Sequence, residues 1–390
     1  MELMKIGIDK IGFATSDLYL DMVDLANARQ EDPNKYLIGI GQAKMAVIRP
    51  TQDVVTMAAT AAKRIISEED KKNISYVIFA TESGIDNSKS AAVYLADLLG
   101  ILPNVRTIEV KQACYGATAA LQLAKGYIAL NPESKVLVIG ADNARYGIKT
   151  PGEPTQGGGA IAMLVSSNPK ILELENPTAA YAENIMDFWR PLGHSKALVD
   201  GKYSSGIYLD FLRNVWDEQF KKTGFKLQDY GALLFHLPYT KMGLKGLRQI
   251  LQDASVDDST RLTREFEYAR QFNREVGNLY TGSLYLSFLS LIVNSDSIRS
   301  GQRIGLFSYG SGAQAEFFTG ILQPNYQEGL AGVDYQSILN KRQAVSVSEY
   351  EKFFESHIFD IENIELDYQE DNSDFLLMGV QDYKRKYLGR

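Results

Sequence analysis

The second half of this chain repeats the order of signals found in the first. Ser75-Tyr-Val-Ile-Phe-Ala-Thr-Glu82 has its counterpart in Tyr230-Gly-Ala-Leu-Leu-Phe-His236, and Lys135-Val-Leu-Val-Ile-Gly-Ala-Asp142 in Arg303-Ile-Gly-Leu-Phe-Ser-Tyr-Gly-Ser311. Each of the latter pair is followed by another apolar run, at Gly159–Val165 and Ala315–Leu322. Between the strands lie helix-forming segments, from Lys89 to Leu99, from Cys114 to Leu130, and from Tyr280 to Ile292. Apolar runs alternating with helical stretches predict an α/β fold with a largely buried sheet. The repetition predicts two halves of one architecture, residues 1–170 and 171–390. If the halves pack face to face, the Cys114 helix falls in the middle layer.

The duplication gives position to residues that would mean little alone. Cys114 is the only cysteine among 390 residues. It lies between a short strand and a helix, where unpaired N–H groups favour a thiolate. Read alone, such a cysteine is more often a buried packing thiol. Glu82 ends one apolar strand and His236 ends the matching one in the other half. A carboxylate at the end of a buried strand has its pKa pushed toward neutrality. Glu82, Cys114, His236, Asn278 and Ser311 all follow strands or precede helices, so one crevice at the strand C-ends can gather them.

That set has a chemical logic. A thiolate accepts an acyl group, a carboxylate handles a carbon acid, and an imidazole polarises or protonates a carbonyl. Backbone N–H groups at Cys114 and in the Gly310-Ser311-Gly312 turn supply an oxyanion site. Lys241, Lys245 and Arg248 recur at helical spacing beside His236, and a basic row there suits a phosphate-bearing thioester or is simply a solvated face. Gly152-Glu-Pro-Thr155-Gln-Gly-Gly-Gly159 reads as a flexible loop without the order of a P-loop. His194 and His357 read as surface residues.

Several classes are excluded. One cysteine forbids an intrachain disulfide and a Cys-rich zinc site, and three histidines make a metal centre a poor expectation. This usage fits a reducing cytoplasm. The net charge of −7 argues against nucleic-acid and anionic-membrane partners. The first residues lack the apolar run of a signal peptide, and Met4 is an alternative start. Leu279–Asn294 is too short and too rich in Ser and Tyr to span a bilayer. Near the end, Val345–Phe354 reads as a capped helix, 359–373 as an acidic surface segment, and Phe375–Val380 as a last strand.

At these residues the chain resembles the hydroxymethylglutaryl-CoA synthases of the bacterial mevalonate-pathway type. Ordered blocks carry the likeness over nearly the whole length. They are Ala80-Thr-Glu82-Ser-Gly-Ile-Asp, Ala113-Cys114-Tyr-Gly-Ala-Thr-Ala, Gly152-Glu-Pro-Thr-Gln-Gly, Asp187-Phe-Trp-Arg-Pro, His236-Leu-Pro-Tyr-Thr-Lys241-Met-Gly, Val276-Gly-Asn278-Leu-Tyr-Thr-Gly-Ser-Leu-Tyr and Phe307-Ser-Tyr-Gly-Ser311-Gly-Ala. The resemblance implies a thiolase-like fold of two duplicated halves in an αβαβα sandwich, usually a homodimer. It implies an acyltransferase that condenses acetyl-CoA with acetoacetyl-CoA, with coenzyme A thioesters as substrates and no separate cofactor.

By this likeness Cys114 carries the acetyl group, Glu82 removes its methyl proton, and His236 orients and protonates the acceptor carbonyl. Thr155, Ser204, Asn278 and Ser311 become substrate contacts, Lys241 and Lys245 lie on the CoA side, and Asp142, Tyr146 and Asp187 support the site. Gln112 stands where relatives often carry an acid, and Gly158 where they often carry alanine. Rival readings are a β-ketoacyl synthase using Cys114, His236 and Asn278, and a non-catalytic member of the fold. A thiolase needs a second cysteine, and a cysteine hydrolase finds little support in a duplicated α/β chain.

Overall fold

Strands Ile74–Ala80 and Lys135–Ala144 run parallel, and Gly157–Ser167 closes against the second of them in the antiparallel sense. The other half repeats this unit: Tyr230–Phe235 is parallel to Arg303–Gly310, and Gln314–Leu322 returns antiparallel. The computed structural model describes residues 4–390, so the choice between Met1 and Met4 as the start lies outside the described residues. The short strand Leu172–Leu174 pairs with both Ile6–Ala14 and Gln314–Leu322, which joins the halves in one ten-stranded sheet.

The chain folds into layers because its helices differ in which faces are apolar. Gly116–Leu130 and Ser283–Asn294 fill the centre, packed between Ile78, Val136 and Val138 of one half and Leu234, Ile304 and Leu306 of the other. Every residue from Ser283 to Ile292 is buried. A helix apolar all round has no solvent side and belongs between two sheets. Each buried Leu or Phe there contributes about 1.5–3 kcal/mol. Val54–Lys63 and Ala91–Leu98 cover the outer face of the N-terminal strands, and Gly201–Thr223 with Thr240–Ile250 covers that of the C-terminal ones. The result is the expected αβαβα sandwich.

Strand register positions the site. Ala80 lies opposite both Val110 and Gly140, so the residues just beyond them, 82, 112–114 and 142, emerge together at one end. In the other half Phe235 lies opposite Phe307, and the His236 N–H donates to the Phe307 carbonyl at 2.8 Å. Gly310 joins the two ends. A Cβ on it would lie 2.5 Å from the Gln112 carbonyl and 2.7 Å from the Tyr115 nitrogen. Only glycine permits that approach.

Two expectations need correction. Gly157–Gly159 is not a flexible loop but the buried start of a strand. Gln156 pins the segment before it, accepting from the Tyr146 and Gly147 N–H groups at 2.8 and 3.1 Å and donating to the Tyr350 hydroxyl at 2.7 Å. Gly158 has a packing reason, since a Cβ there would lie 2.9 Å from the Ile48 side chain. The acidic stretch near the C-terminus is mostly exposed, but Asp371 is buried and accepts from the Thr51 hydroxyl at 2.5 Å. Ser346 caps the helix Val347–Glu355 through a capping box with Glu349, as expected.

Candidate active site

Asp142 organises the N-terminal side. It is fully buried at the end of its strand. Its Oδ1 accepts from Thr81 Oγ1 at 3.0 Å, the Glu82 N–H at 2.7 Å, and the Ser83 N–H and Oγ at 2.9 Å each. Its Oδ2 accepts from the Thr281 N–H at 3.1 Å and Oγ1 at 2.6 Å. One carboxylate thus fixes the Glu82 segment to the second half of the chain. Such full satisfaction is what makes a buried charge tolerable.

Glu82 and Cys114 meet within this frame. The thiol donates to Glu82 Oε1 at 3.0 Å, and the Glu82 side chain is only 6% exposed. Burial, then the nearby Asp142, push the Glu82 carboxyl up to about 8, against the opposing pull of the Cys114 hydrogen bond and Arg190. The expected rise toward neutrality is present. The expected thiolate is not. Burial and the negative Glu82 raise the Cys114 thiol well above its ordinary value. The helix begins at Gly116, two residues beyond Cys114, so its N-terminal field is outweighed by the adjacent carboxylate.

His236 is 3% exposed, and burial lowers its pKa to about 3. The imidazole is therefore neutral at physiological pH. It offers one N–H and one lone pair rather than a positive charge. Its own carbonyl accepts from the Tyr208 hydroxyl at 2.8 Å, which fixes the strand end that carries it.

Asn278 and Tyr146 sit between the halves. Asn278 Oδ1 accepts from the Tyr280 N–H at 2.8 Å and Ser283 Oγ at 2.9 Å, while its Nδ2 donates to the Tyr146 hydroxyl at 3.3 Å. Tyr146, Phe188 and Tyr280 pack edge to face around this point. Asp187 is fully buried and holds the Ser311 turn. It accepts from the Gly312 N–H at 2.8 Å, the Tyr309 hydroxyl at 2.8 Å and the Ser204 hydroxyl at 2.9 Å. The Gly312 N–H is thereby taken, and Ser204 serves Asp187.

The remaining expected residues lie farther out. Thr155 donates to the Gly152 carbonyl at 2.8 Å, and Lys241 and Lys245 project from the helix Thr240–Ile250, Lys245 into solvent. Glu82, Gln112, Ala113, Ser311 and Gly312 line a cleft of about 1290 Å³. Its far wall comes partly from the C-terminal segment, through His357, Phe359 and Arg385. His357 is half-buried on the cleft wall rather than on the open surface. Burial, with Arg145, Arg385 and Arg190 facing it, lowers its pKa to about 3.

The reading from sequence also passed over Arg190, which lines this cleft and donates to the Glu82 carbonyl oxygen. Its only signal in the chain was its place in the Asp187-Phe-Trp-Arg block. Among the described residues no group of three or more His, Cys, Asp or Glu is placed to hold a metal. No described helix is long and apolar enough to cross a membrane.

Comparison with known proteins fits this geometry. Residues 3–170 match the family described as hydroxymethylglutaryl-coenzyme A synthase N terminal, and residues 172–270 and 262–387 match its C-terminal counterpart. A hydroxymethylglutaryl-CoA synthase of Enterococcus faecalis is 51% identical over 351 residues, spanning 90% of this chain and 92% of that protein. A crystal structure of HMG-CoA synthase complexed with CoA superimposes with a TM-score of 0.96 at 44% identity, covering 99% of this chain and all (100%) of the other. MvaS in complex with 3-hydroxy-3-methylglutaryl coenzyme A gives a TM-score of 0.90 at 34% identity, with 99% of both chains covered.

Proposed function

The chain belongs to the hydroxymethylglutaryl-CoA synthase family, and from that premise we propose how its residues divide the family's reaction. It is an acyl-transferring condensing enzyme of thiolase-like fold. It joins acetyl-CoA and acetoacetyl-CoA in the mevalonate pathway. Cys114 attacks the acetyl thioester, and the departing CoA thiolate leaves with the thiol proton. Glu82 then removes a methyl proton from acetyl-Cys114. The resulting enolate attacks the ketone carbon of acetoacetyl-CoA, and the new alkoxide takes up a proton. Water finally cleaves the thioester to Cys114, which returns the thiol and releases the product with a new carboxylate.

The observation that carries this reading is the 3.0 Å contact from Cys114 Sγ to Glu82 Oε1. It puts a carboxyl with pKa near 8 beside the only thiol in the chain. A base poised near the working pH is the efficient one. His236, being neutral, acts by donating a hydrogen bond to the acceptor carbonyl rather than as an imidazolium acid. Asn278 and Ser311 contact substrate, Asp142, Tyr146 and Asp187 support the groups that do, and Lys241 and Lys245 meet the CoA end. Ser204 acts through Asp187, to which its hydroxyl donates, and Thr155 would contact substrate only by giving up its bond to the Gly152 carbonyl. A β-ketoacyl synthase built on Cys114, His236 and Asn278 would give Glu82 no task.

The same reading divides the chain near residue 170, pairs two copies and places the enzyme in the cytoplasm with no cofactor beyond its CoA substrates. Strand Arg106–Val110, which leads to Cys114, is an outer strand of the sheet, and its Ile108 is 39% exposed. An open edge of this kind invites pairing with a second copy. The test is CoA-thiol release from the purified protein. Release that requires both acetyl-CoA and acetoacetyl-CoA supports the reading. Release with a malonyl donor but none with acetoacetyl-CoA overturns it.

A further inference from the structure

Glu82 is held from two sides, and only one side belongs to its own half. Asp142 grips its backbone N–H from the N-terminal half. From the other direction comes Arg190, whose Nη2 donates to the Glu82 carbonyl oxygen and lies 4.0 Å from Glu82 Oε2. Arg190 stands three residues beyond Asp187, which is anchored through Ser204, Tyr309 and Gly312. The pair Phe188–Trp189 and Leu198–Val199 stiffens the segment between. The second half therefore delivers a fixed positive charge to a carboxylate of the first.

We propose that Arg190 is a positioning residue for carbon–carbon bond formation: it fixes the Glu82 segment at the cleft and supplies the countercharge for the Glu82 carboxylate. This rests on the reading of Glu82 as the base. The groups facing Glu82 are Asp142, Cys114, Tyr146, Tyr280 and Arg190. Arg190 is the one cation among them. Asp142 adds to the effect of burial, and without an opposing charge the carboxyl would be pushed still further above its value of about 8. Arg190 in turn faces Arg145 and His357, with Arg385 behind, and none of these supplies a carboxylate to it. Arg385 is paired instead with Asp53 at 3.0 Å.

The test separates the charge from the anchor. Arg190→Gln keeps a donor for the Glu82 carbonyl and removes the charge, whereas Arg190→Lys keeps the charge and loses the planar fork. Both should acetylate Cys114 stoichiometrically from labelled acetyl-CoA. In Arg190→Gln the acid limb of the condensation rate should move up by about one pH unit, which is a roughly tenfold loss at pH 7 that closes at alkaline pH. In Arg190→Lys the limb should stay where it is in the parent enzyme while kcat falls. An unmoved limb in Arg190→Gln, or equal movement in both variants, overturns the proposal. Glu82→Ala provides the separate control. Normal condensation there defeats the reading of Glu82 itself, whereas lost condensation beside an unmoved Arg190→Gln limb defeats only the role of Arg190.

Discussion

The two central helices occupy equivalent places in the two halves and do opposite things. Gly116–Leu130 follows an edge strand and a tight turn in which Ala113 has φ +44°, and that turn leaves a thiol facing one carboxyl. Ser283–Asn294 follows no such strand. The helix Gln271–Val276 stands in its place, and the polar groups at the turn satisfy one another: Ser283 Oγ donates to Asn278 Oδ1 at 2.9 Å and accepts from the Leu279 N–H at 2.8 Å. The N-terminal half has kept an edge strand and a reactive atom. The C-terminal half has closed its turn with hydrogen bonds and contributes a neutral donor in His236 and an arm in Asp187–Arg190. Duplication supplied two equal scaffolds, and the chemistry sits where their symmetry is broken.

Removing the reactive atom should break the comparison most severely. Cys114→Ala leaves the first half as inert as the second, and CoA release should fall on the order of 10⁴-fold or more. The fold should persist, since Cys114 is partly exposed and its loss opens little space. A residual rate within tenfold of the parent would contradict the assignment.

His236→Ala should cost about 10²–10³-fold in condensation, the range for one preorganised donor. Because burial keeps His236 neutral, the loss should be similar at pH 6 and pH 8. A loss confined to low pH would mean that an imidazolium is at work.

The third effect concerns stability. Glu82 has a folded pKa of about 8 against an ordinary 4.5, so between those values the folded protein holds a proton that the unfolded chain has released. Stability therefore falls as pH rises through that window. Glu82→Gln does not titrate, and its melting temperature should gain on the parent's as pH goes from 5 to 8. A constant difference across that range would place Glu82 in a far more watery setting.

The smallest effect should come from the outer basic row. Lys245 is exposed, so Lys245→Ala should raise KM a few-fold at low salt, with kcat unchanged and the difference fading as salt increases.

Much of the fold was legible because a buried sheet imposes long apolar runs. Ile74–Ala80, Lys135–Ala144, Tyr230–Phe235 and Arg303–Gly310 all stand where the pattern put them. That Glu82 and Cys114 meet was legible because strand ends are where such sheets gather side chains, and the two lie 3.0 Å apart. What the chain concealed depends on long-range contacts. No local pattern tells that a thiol two residues before a helix will be overruled by a carboxylate 32 positions earlier, or that Arg190 will reach back 108 positions to the Glu82 carbonyl. His357 looked like a surface residue because it follows the polar end of a helix at Glu355-Ser356, whereas its neighbours in space include Arg145, Arg190 and Arg385. Gly157–Gly159 looked like a loop by composition, but the closeness of Ile48 and the Asp142 carbonyl explains the glycine at 158.

The division of labour between sulfur and carboxyl can be measured in one experiment. Glu82→Ala protein is incubated with labelled acetyl-CoA, digested and examined by mass spectrometry, and then challenged with acetoacetyl-CoA. One acetyl group on Cys114 that persists after the challenge is the expected result, because the variant keeps the thiol that takes the acetyl group and has lost the Glu82 carboxyl, 3.0 Å away in the parent, that would remove the methyl proton. An unlabelled Cys114, or label that passes into product at the parent's rate, would contradict it.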